Sequence, residues 1–388
     1  MSTPSKPVRL GLIGPGGRLR GVVRRLLEAA PAGTIKITAA YDPDPGAIRS
    51  LRKDLAPDVQ TTSSEEELTN HPAVDWVFIG SVNSCHARQA IASLLAGKDV
   101  FCEKPLATSF EDCVAIRDAV KKSGRTFSFG LVLRYSPHYQ KLRELVTAGT
   151  VGQIISFEFN ETIEFFHGGY IFGNWRRKLA ESGSHLLEKC CHDLDLANWI
   201  IDSLPVRVAS FGGTDFFLPK NAHHVERLGP DPDGKPAYSK WYDPHGISPF
   251  AEGAEIVDNQ VAILEYANGT RATFHTNCNA GILERRFYIC GTEGAIRADA
   301  ITGKIEWKRI GHETKIEQVD TGHAGGHAGG DETMAKALVE TILGGKSPLA
   351  SADEGLYSCT TAFALDQAMR EKKVIDLDPW WKAAGVGV

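Results

Sequence analysis

Apolar positions in the first 130 residues switch between two periods. Residues 8–13 form a continuous apolar run, as in a strand buried on both faces. Residues 18–30 place Leu19, Val22, Val23, Leu26 and Leu27 at helical spacing. The alternation continues with strands at 35–41, 74–79, 99–102 and 126–130, and helices at 43–55, 84–96 and 110–122. Repeated β-α-β order predicts a parallel, doubly wound sheet with right-handed crossovers.

After a further helix at 137–148 the pattern changes. Residues 154–163 alternate apolar and polar, as a strand with one buried face does. One long helix is expected at 184–201. Short strand-like runs follow at 206–211, 257–266, 271–277, 286–290, 295–298, 304–309 and 314–318. Asn268-Gly269 is a hairpin signal, and residues 291–294 make a second tight connection. This half predicts a large, mainly antiparallel open sheet with the long helix on one face. Helices at 332–343, with Asp331 as N-cap, and 352–371 close the chain. The expected domains are 1–130 and 131–388, both α/β. The polar, Pro- and Gly-rich stretch 214–253 has the length of a functional or mobile loop.

Composition narrows the function. The chain has 388 residues, 42% of them hydrophobic and 23% charged, and a net charge of −5. That suits a soluble two-domain protein and lacks the basic footprint of a nucleic-acid or anionic-lipid binder. No apolar run approaches the roughly 20 residues that span a bilayer. Residues 1–9 carry no apolar signal core. The 8 cysteines show no C-x-x-C pair and no metal-ligand spacing, which points to reduced thiols in the cytoplasm. Adjacent Cys190 and Cys191 read as small helix-packing residues.

The first strand runs into Gly11-Leu-Ile-Gly14-Pro-Gly16-Gly17-Arg18. A nucleotide pyrophosphate needs close backbone N–H groups and the positive end of a helix dipole, which Gly14, Gly16 and Gly17 would allow. In the G-x-G-x-x-G spacing Leu19 replaces the third glycine. Asp42 ends the second strand where an acid bonds the ribose hydroxyls. It would repel a 2′-phosphate, so NAD is expected over NADP. Alternatively, with Pro43 following, Asp42 is a helix N-cap. Arg18 would face either the pyrophosphate or a 2′-phosphate.

Two further clusters suggest chemistry. Lys104, in Cys102-Glu103-Lys104-Pro105, ends the fifth strand, where open parallel sheets bind ligands. Pro105 biases Lys104 away from helix, and their bond can be cis. On the expected long helix, Glu188, His192 and Asp195 are spaced to share a face. A histidine beside a carboxylate suits general base chemistry, with the carboxylate orienting the ring. His185, Glu188 and His192 make an incomplete metal set, so no metal is expected.

With these motifs the chain resembles the Gfo/Idh/MocA family of sugar and polyol dehydrogenases along nearly its whole length. The matching segments are the Gly-rich turn, Ile79-Gly-Ser81-Val-Asn83-Ser-Cys-His86, and the segment 97–107 around Lys104. Arg134-Tyr-Ser-Pro137, Trp175-Arg176, Glu188 to Asp195 and the segment 325–331 also match. The departures are Glu188, where many members carry Asp, Val82 in place of Pro, and the lead-in Glu181-Ser-Gly-Ser-His185.

The resemblance implies a Rossmann domain followed by an α/β domain with a large open sheet. It implies that Lys104, Glu188 and His192 are catalytic. Ser81, Asn83, His86, Glu103, Lys104 and Pro105 would line the cofactor, with Trp175 and Arg176 closing over cofactor or substrate. Candidate substrate contacts are Lys104, Arg134, Asn160, His167, Tyr170, Asn174 and His192. The expected reaction is NAD-dependent oxidation of a secondary hydroxyl on a sugar, sugar derivative or cyclitol. Glycoside cleavage by transient oxidation, and a non-catalytic NAD-binding regulator, are the rival classes. A homodimer or homotetramer formed through the open sheet is expected, since an exposed apolar face calls for a cover.

Overall fold

The computed structural model describes residues 6–239, 241, 243 and 245–388. Residues 1–5 of the start read as lacking a signal core, and residues 240, 242 and 244 of the 214–253 stretch, lie outside that description. The chain divides into two compact units, one of Met1–Ser136 with Gly329–Cys359, the other of Pro137–Ala328 with Thr360–Val388.

The first unit holds a six-stranded parallel sheet. Its strands are β1 (Val8–Ile13), β2 (Ile35–Tyr41), β3 (Gln60–Thr61), β4 (Trp76–Ile79), β5 (Asp99–Cys102) and β6 (Phe127–Phe129), in the order β3-β2-β1-β4-β5-β6. Chain order reverses beside β1, which makes the switch-point crevice of a doubly wound sheet. The expected doubly wound sheet is present. β3 and the helix Glu65–Thr69 were not anticipated; both residues of β3 are exposed, so no apolar run marks it.

Three local expectations are corrected. Asp42 is not the N-cap of the second helix, Pro45–Asp54. Asp44 caps it by accepting the Gly46 N–H at 2.8 Å, with Pro45 in the first turn. Asp331 is no cap either. The helix Gly330–Gly344 begins after Gly329, and Asp331 binds Arg18 instead. The helix expected at 84–96 is preceded by a single 3-10 turn, Asn83–Cys85, and starts at His86.

The second unit holds a nine-stranded sheet. Its strands are β7 (Ile154–Glu164), β8 (Pro205–Gly213), β9 (Asn259–Tyr266), β10 (Arg271–Ala280), β11 (Arg286–Gly291), β12 (Gly294–Asp299), β13 (Lys304–Arg309), β14 (Glu317–Asp320) and β15 (Ile375–Asp376). The order is β14-β13-β12-β11-β7-β10-β9-β8-β15, antiparallel except for the parallel pair β7–β10. Alternate residues of β9 and β10 are buried, as the period-two pattern predicts. Phe157, Phe159, Phe274 and Phe287 pack on the inner face, with Phe159 and Phe274 centroids 4.6 Å apart. β14 begins three residues later than expected, because its mostly exposed residues carry no burial pattern.

The long helix is present in altered form. Leu186–Cys190 is a π-turn, and an α-helix, Cys191–Ile201, continues from it. The 214–253 stretch largely folds onto the helix Phe165–Phe172. Phe217, Tyr238, Phe250 and Ile256 join Ile171 and Phe172 in an apolar cluster. Asp258 fastens the base of the stretch, accepting backbone N–H groups of Asp215, Phe216 and Phe217. No helix among the described residues is long and apolar enough to cross a membrane. All eight cysteines are free thiols.

His185 lies under this layer, 1% exposed, its Nε2 3.2 Å from the Thr276 hydroxyl and 3.5 Å from the Cys278 thiol. Burial pushes its pKa down from 6.5 to about 4. Between those values the unfolded chain binds a proton that the folded chain refuses. Stability therefore falls as pH drops from 6.5 toward 4 and levels below that. The difference in unfolding free energy between wild type and His185→Gln should shrink by about 3 kcal/mol from pH 7.5 to pH 4. Urea unfolding at several pH values checks this; a constant difference contradicts it.

Candidate active site

In the first unit, β1 turns sharply into the helix Gly17–Ala29. Gly14 has φ +68°, and a Cβ there would lie 2.5 Å from the Ser81 backbone. Gly16 and Gly17 differ. A Cβ on Gly16 meets nothing nearer than 3.9 Å, and one on Gly17 meets nothing within 4 Å. The protein itself leaves this space free. The helix has no side-chain cap and no acid in its first turn, whereas the helix Phe110–Ser123 has both. Unmatched N–H groups and an unopposed dipole beside open space fit a bound pyrophosphate. The close packing that a third glycine would provide comes from Gly80, whose added Cβ would lie 2.6 Å from the Leu19 Cβ. The sequence reading missed Gly80 because it lies on another strand end.

Asp42 sits at the end of β2 and accepts the Asp44 N–H at 2.8 Å. Burial raises its pKa.

Arg18 pairs with two carboxylates. Its Nε donates to Glu103 at 2.9 Å and its Nη1 to Asp331 at 2.6 Å. Burial opposes the guanidinium charge, but the two carboxylates outweigh it and raise the pKa. Glu103 also accepts the Lys104 N–H at 3.3 Å, so Arg18 braces the loop that carries Lys104. The Lys104–Pro105 bond is cis. His86 holds the loop from behind, with Nδ1 2.7 Å from the Pro105 carbonyl and Nε2 3.2 Å from the Ser81 carbonyl. Burial depresses the His86 pKa. Ser81 donates its hydroxyl to Gln89 at 2.6 Å, and Asn83 is buried. Arg134 is buried with a guanidinium nitrogen 3.8 Å from Glu354. Lys104 is half-buried at the carboxyl end of β5.

The second unit carries the other cluster. Glu188 lies within the π-turn and His192 in the helix that follows, 6% and 4% exposed. Arg176 Nε donates to Glu188 at 3.0 Å, and Arg176 Nη1 donates to the Tyr170 hydroxyl at 3.1 Å. The same guanidinium stacks 4.2 Å from the Trp175 ring centroid. Asn174 caps the turn by accepting the Arg176 N–H and donates to the Tyr170 carbonyl, so its amide positions these neighbours. Tyr170 and His167 both meet Trp241, at 4.8 and 4.9 Å between centroids. Trp241, from the 214–253 stretch, was not anticipated. Asn160 donates to Glu284 and accepts the Arg286 N–H, so its amide is engaged in the sheet.

Beside this cluster lies a buried charge network that the sequence reading also missed. Arg285 grips Asp193 through Nε at 2.8 Å and Nη2 at 2.7 Å. Glu161 takes Lys189 at 2.7 Å and Arg285 at 3.2 Å. Burial works against the Glu161 charge, but Arg285 and Lys189 outweigh it and hold its pKa low. Burial pushes Asp193 up to about 7 despite Arg285. Glu161, Cys190 and Asp193 converge closely enough to ligate a metal, but both carboxylates already face cations and burial raises the thiol. The only advance signal was four charged residues within 188–195.

Comparisons with known proteins agree with this architecture. The NAD-binding Rossmann-fold model of the Gfo/Idh/MocA oxidoreductase family matches residues 8–131, and the family's C-terminal alpha/beta domain model matches 143–377. The 2,7-anhydro-N-acetylneuraminate hydratase of Escherichia coli (strain K12) is 31% identical over 72% of this chain and 65% of its own. The 1,5-anhydro-D-fructose reductase of Ensifer adhaerens is 23% identical over 95% of this chain and 98% of its own. A levoglucosan dehydrogenase solved with NADH and levoglucosan shares the fold, with TM-score 0.76 and 19% identity over 96% of this chain and all of that one.

Replacing Gly14 by Ala should cost about 1–3 kcal/mol of stability through the left-handed backbone alone. Gly17→Ala should leave stability unchanged or higher while weakening NADH binding. Urea midpoints and NADH fluorescence titration read the two effects. Equal behaviour of the two variants contradicts the division of roles.

Proposed function

The chain belongs to the Gfo/Idh/MocA oxidoreductase family, and on that premise we propose that it moves hydride between NAD and a secondary hydroxyl of a sugar, sugar derivative or cyclitol. The observation that carries this reading is the buried pair of groups on one helical segment, Glu188 held by Arg176 and His192 one turn on. An imidazole near a fixed negative charge is suited to take a proton near neutral pH.

NAD, when bound, supplies the hydride acceptor. Gly14, Gly16 and Gly17 would hold its pyrophosphate and Asp42 its ribose hydroxyls. His192 takes the substrate hydroxyl proton. Lys104, braced through Glu103 and His86, stabilises the developing alkoxide. Glu188, fixed by Arg176, favours the imidazolium. Tyr170, His167 and Trp241 offer ring faces and edges that suit the apolar faces of a sugar ring. Asn174 supports Tyr170 from behind. The free thiols fit a reducing, cytoplasmic setting.

We assign a second copy of this chain to the outer face of the nine-stranded sheet. Register sets Phe211 opposite Val261, and Ile263 opposite Thr273. Phe211 is 68% and Ile263 58% exposed, so the face has an apolar strip of the kind that association covers. Ile263→Glu should lower the mass seen by sedimentation to that of one chain; an unchanged oligomer, or a monomeric wild type, contradicts the assignment.

Nicotinamide absorbance with purified protein and a panel of sugars, anhydrosugars, glycosides and inositols tests the main reading. One sugar class should give net reduction of NAD, and His192→Ala should lower its turnover by about 10²–10⁴-fold with NADH affinity retained. Unchanged turnover contradicts the role of His192. A second reading, cleavage or hydration through transient oxidation, draws on the 31% identical relative being named a hydratase. It predicts product without net NADH from protein that purifies with its cofactor.

A further inference from the structure

Oxidising a hydroxyl leaves a proton on His192, and His192 is buried at 4% exposure. Resting on the dehydrogenase reading above, we propose that His327 relays this proton from His192 to solvent. The His327 ring centroid lies 6.3 Å from that of His192, with the planes at 65°. Unlike His192, His327 is partly exposed. A separation of this size is too long for a direct hydrogen bond and is crossed through one water molecule.

The spacing is built in. Arg285 grips Asp193, the residue after His192, with two N–H groups at 2.8 and 2.7 Å. Its remaining Nη1 donates to the Gly326 carbonyl at 2.9 Å, the residue before His327. One buried guanidinium thus ties the Asp193 carboxylate, beside one imidazole, to the Gly326 carbonyl, beside the other. The loop is held further by the Gly325 N–H on the Ala300 carbonyl and the Ala328 N–H on the Gly325 carbonyl. Ala328 keeps φ +43°, a conformation that costs an L-residue energy and persists where surrounding contacts enforce it.

The balance is simple. The substrate C–H bond breaks with its electron pair going to the oxidised nicotinamide, and the O–H bond breaks with its proton going to His192. A carbonyl forms. The proton then moves to His327 and on to water or buffer, which returns His192 to its neutral form for the next turnover.

Two measurements on wild type and His327→Gln test the relay. In stopped flow, NADH absorbance and a pH indicator are followed together. Wild type should release protons in step with NADH, whereas in the variant proton release should fall behind NADH by about tenfold, with added imidazole closing the gap. In cofactor-free protein, NMR should show the His192 ring N–H exchanging with water several-fold more slowly in the variant. Proton release in step with NADH in the variant, or unchanged exchange, overturns the relay. Should wild type form no NADH with any sugar, the dehydrogenase reading fails separately, and the exchange arm alone decides whether His327 is the proton path. Circular dichroism of the variant, and a matching His327→Asn variant, guard against misfolding as the cause.

Discussion

The helical segment that carries Glu188 and His192 depends on one buried cation. Arg285, 3% exposed, is the centre of a network in which Asp193, Glu161 and Lys189 offset one another's charge. Buried charges persist only when paired and hydrogen-bonded, and deleting one partner of such a pair typically costs about 3–5 kcal/mol. The network spans β7, the π-turn, the helix after it and the residue ahead of β11. Its geometry therefore sets how far the helix advances along the sheet, and with it where Glu188 and His192 point. The π-turn is the local price of that constraint: Lys189 meets Glu161 and Asp193 meets Arg285 across a segment that does not follow regular α-helical hydrogen bonding. Such insertions are common at functional sites.

The two units divide the labour in chemical terms. The first is an NAD-binding Rossmann domain whose helix N-terminus is left uncapped and whose lysine loop is braced by Arg18, Glu103 and His86. Several of the candidate ligand contacts also brace their neighbours. Arg18 neutralises two carboxylates, and Asn174 caps a turn. In the second unit, Arg176 links Glu188 to Tyr170, and Tyr170 meets Trp241 on the outside. A chain of contacts thus runs from Glu188 to an exposed aromatic ring, and it makes the 214–253 stretch part of the surroundings of the candidate site rather than an appendage.

Much of the fold was legible because burial leaves a periodic trace. β1, β2, β5 and β13 start and end where their apolar runs do, and the hairpin at Asn268-Gly269 closes between β9 and β10. β3 and β14 were missed or misplaced because exposed short strands leave no such trace. Pairwise side-chain choices were the other blind spot. Asp44 and Asp42 are both able to cap near Pro43 and Pro45, and only three-dimensional contact decides between them. The catalytic candidates were readable as residue types at motif positions. Their partners were not: Arg285 is 92 residues from Asp193 in sequence, and Trp241 stands in a stretch with no motif at all.

In the proposed reaction the carbon-bound hydrogen of a sugar or cyclitol alcohol moves to nicotinamide. A substrate carrying deuterium on its ring carbons, incubated with the protein and NAD, tests it most directly, with the nicotinamide ring then analysed by mass spectrometry. Hydride transfer should place one deuterium in the nicotinamide per hydroxyl oxidised. Product formed with every deuterium retained, or lost to water with none in the nicotinamide, would contradict it.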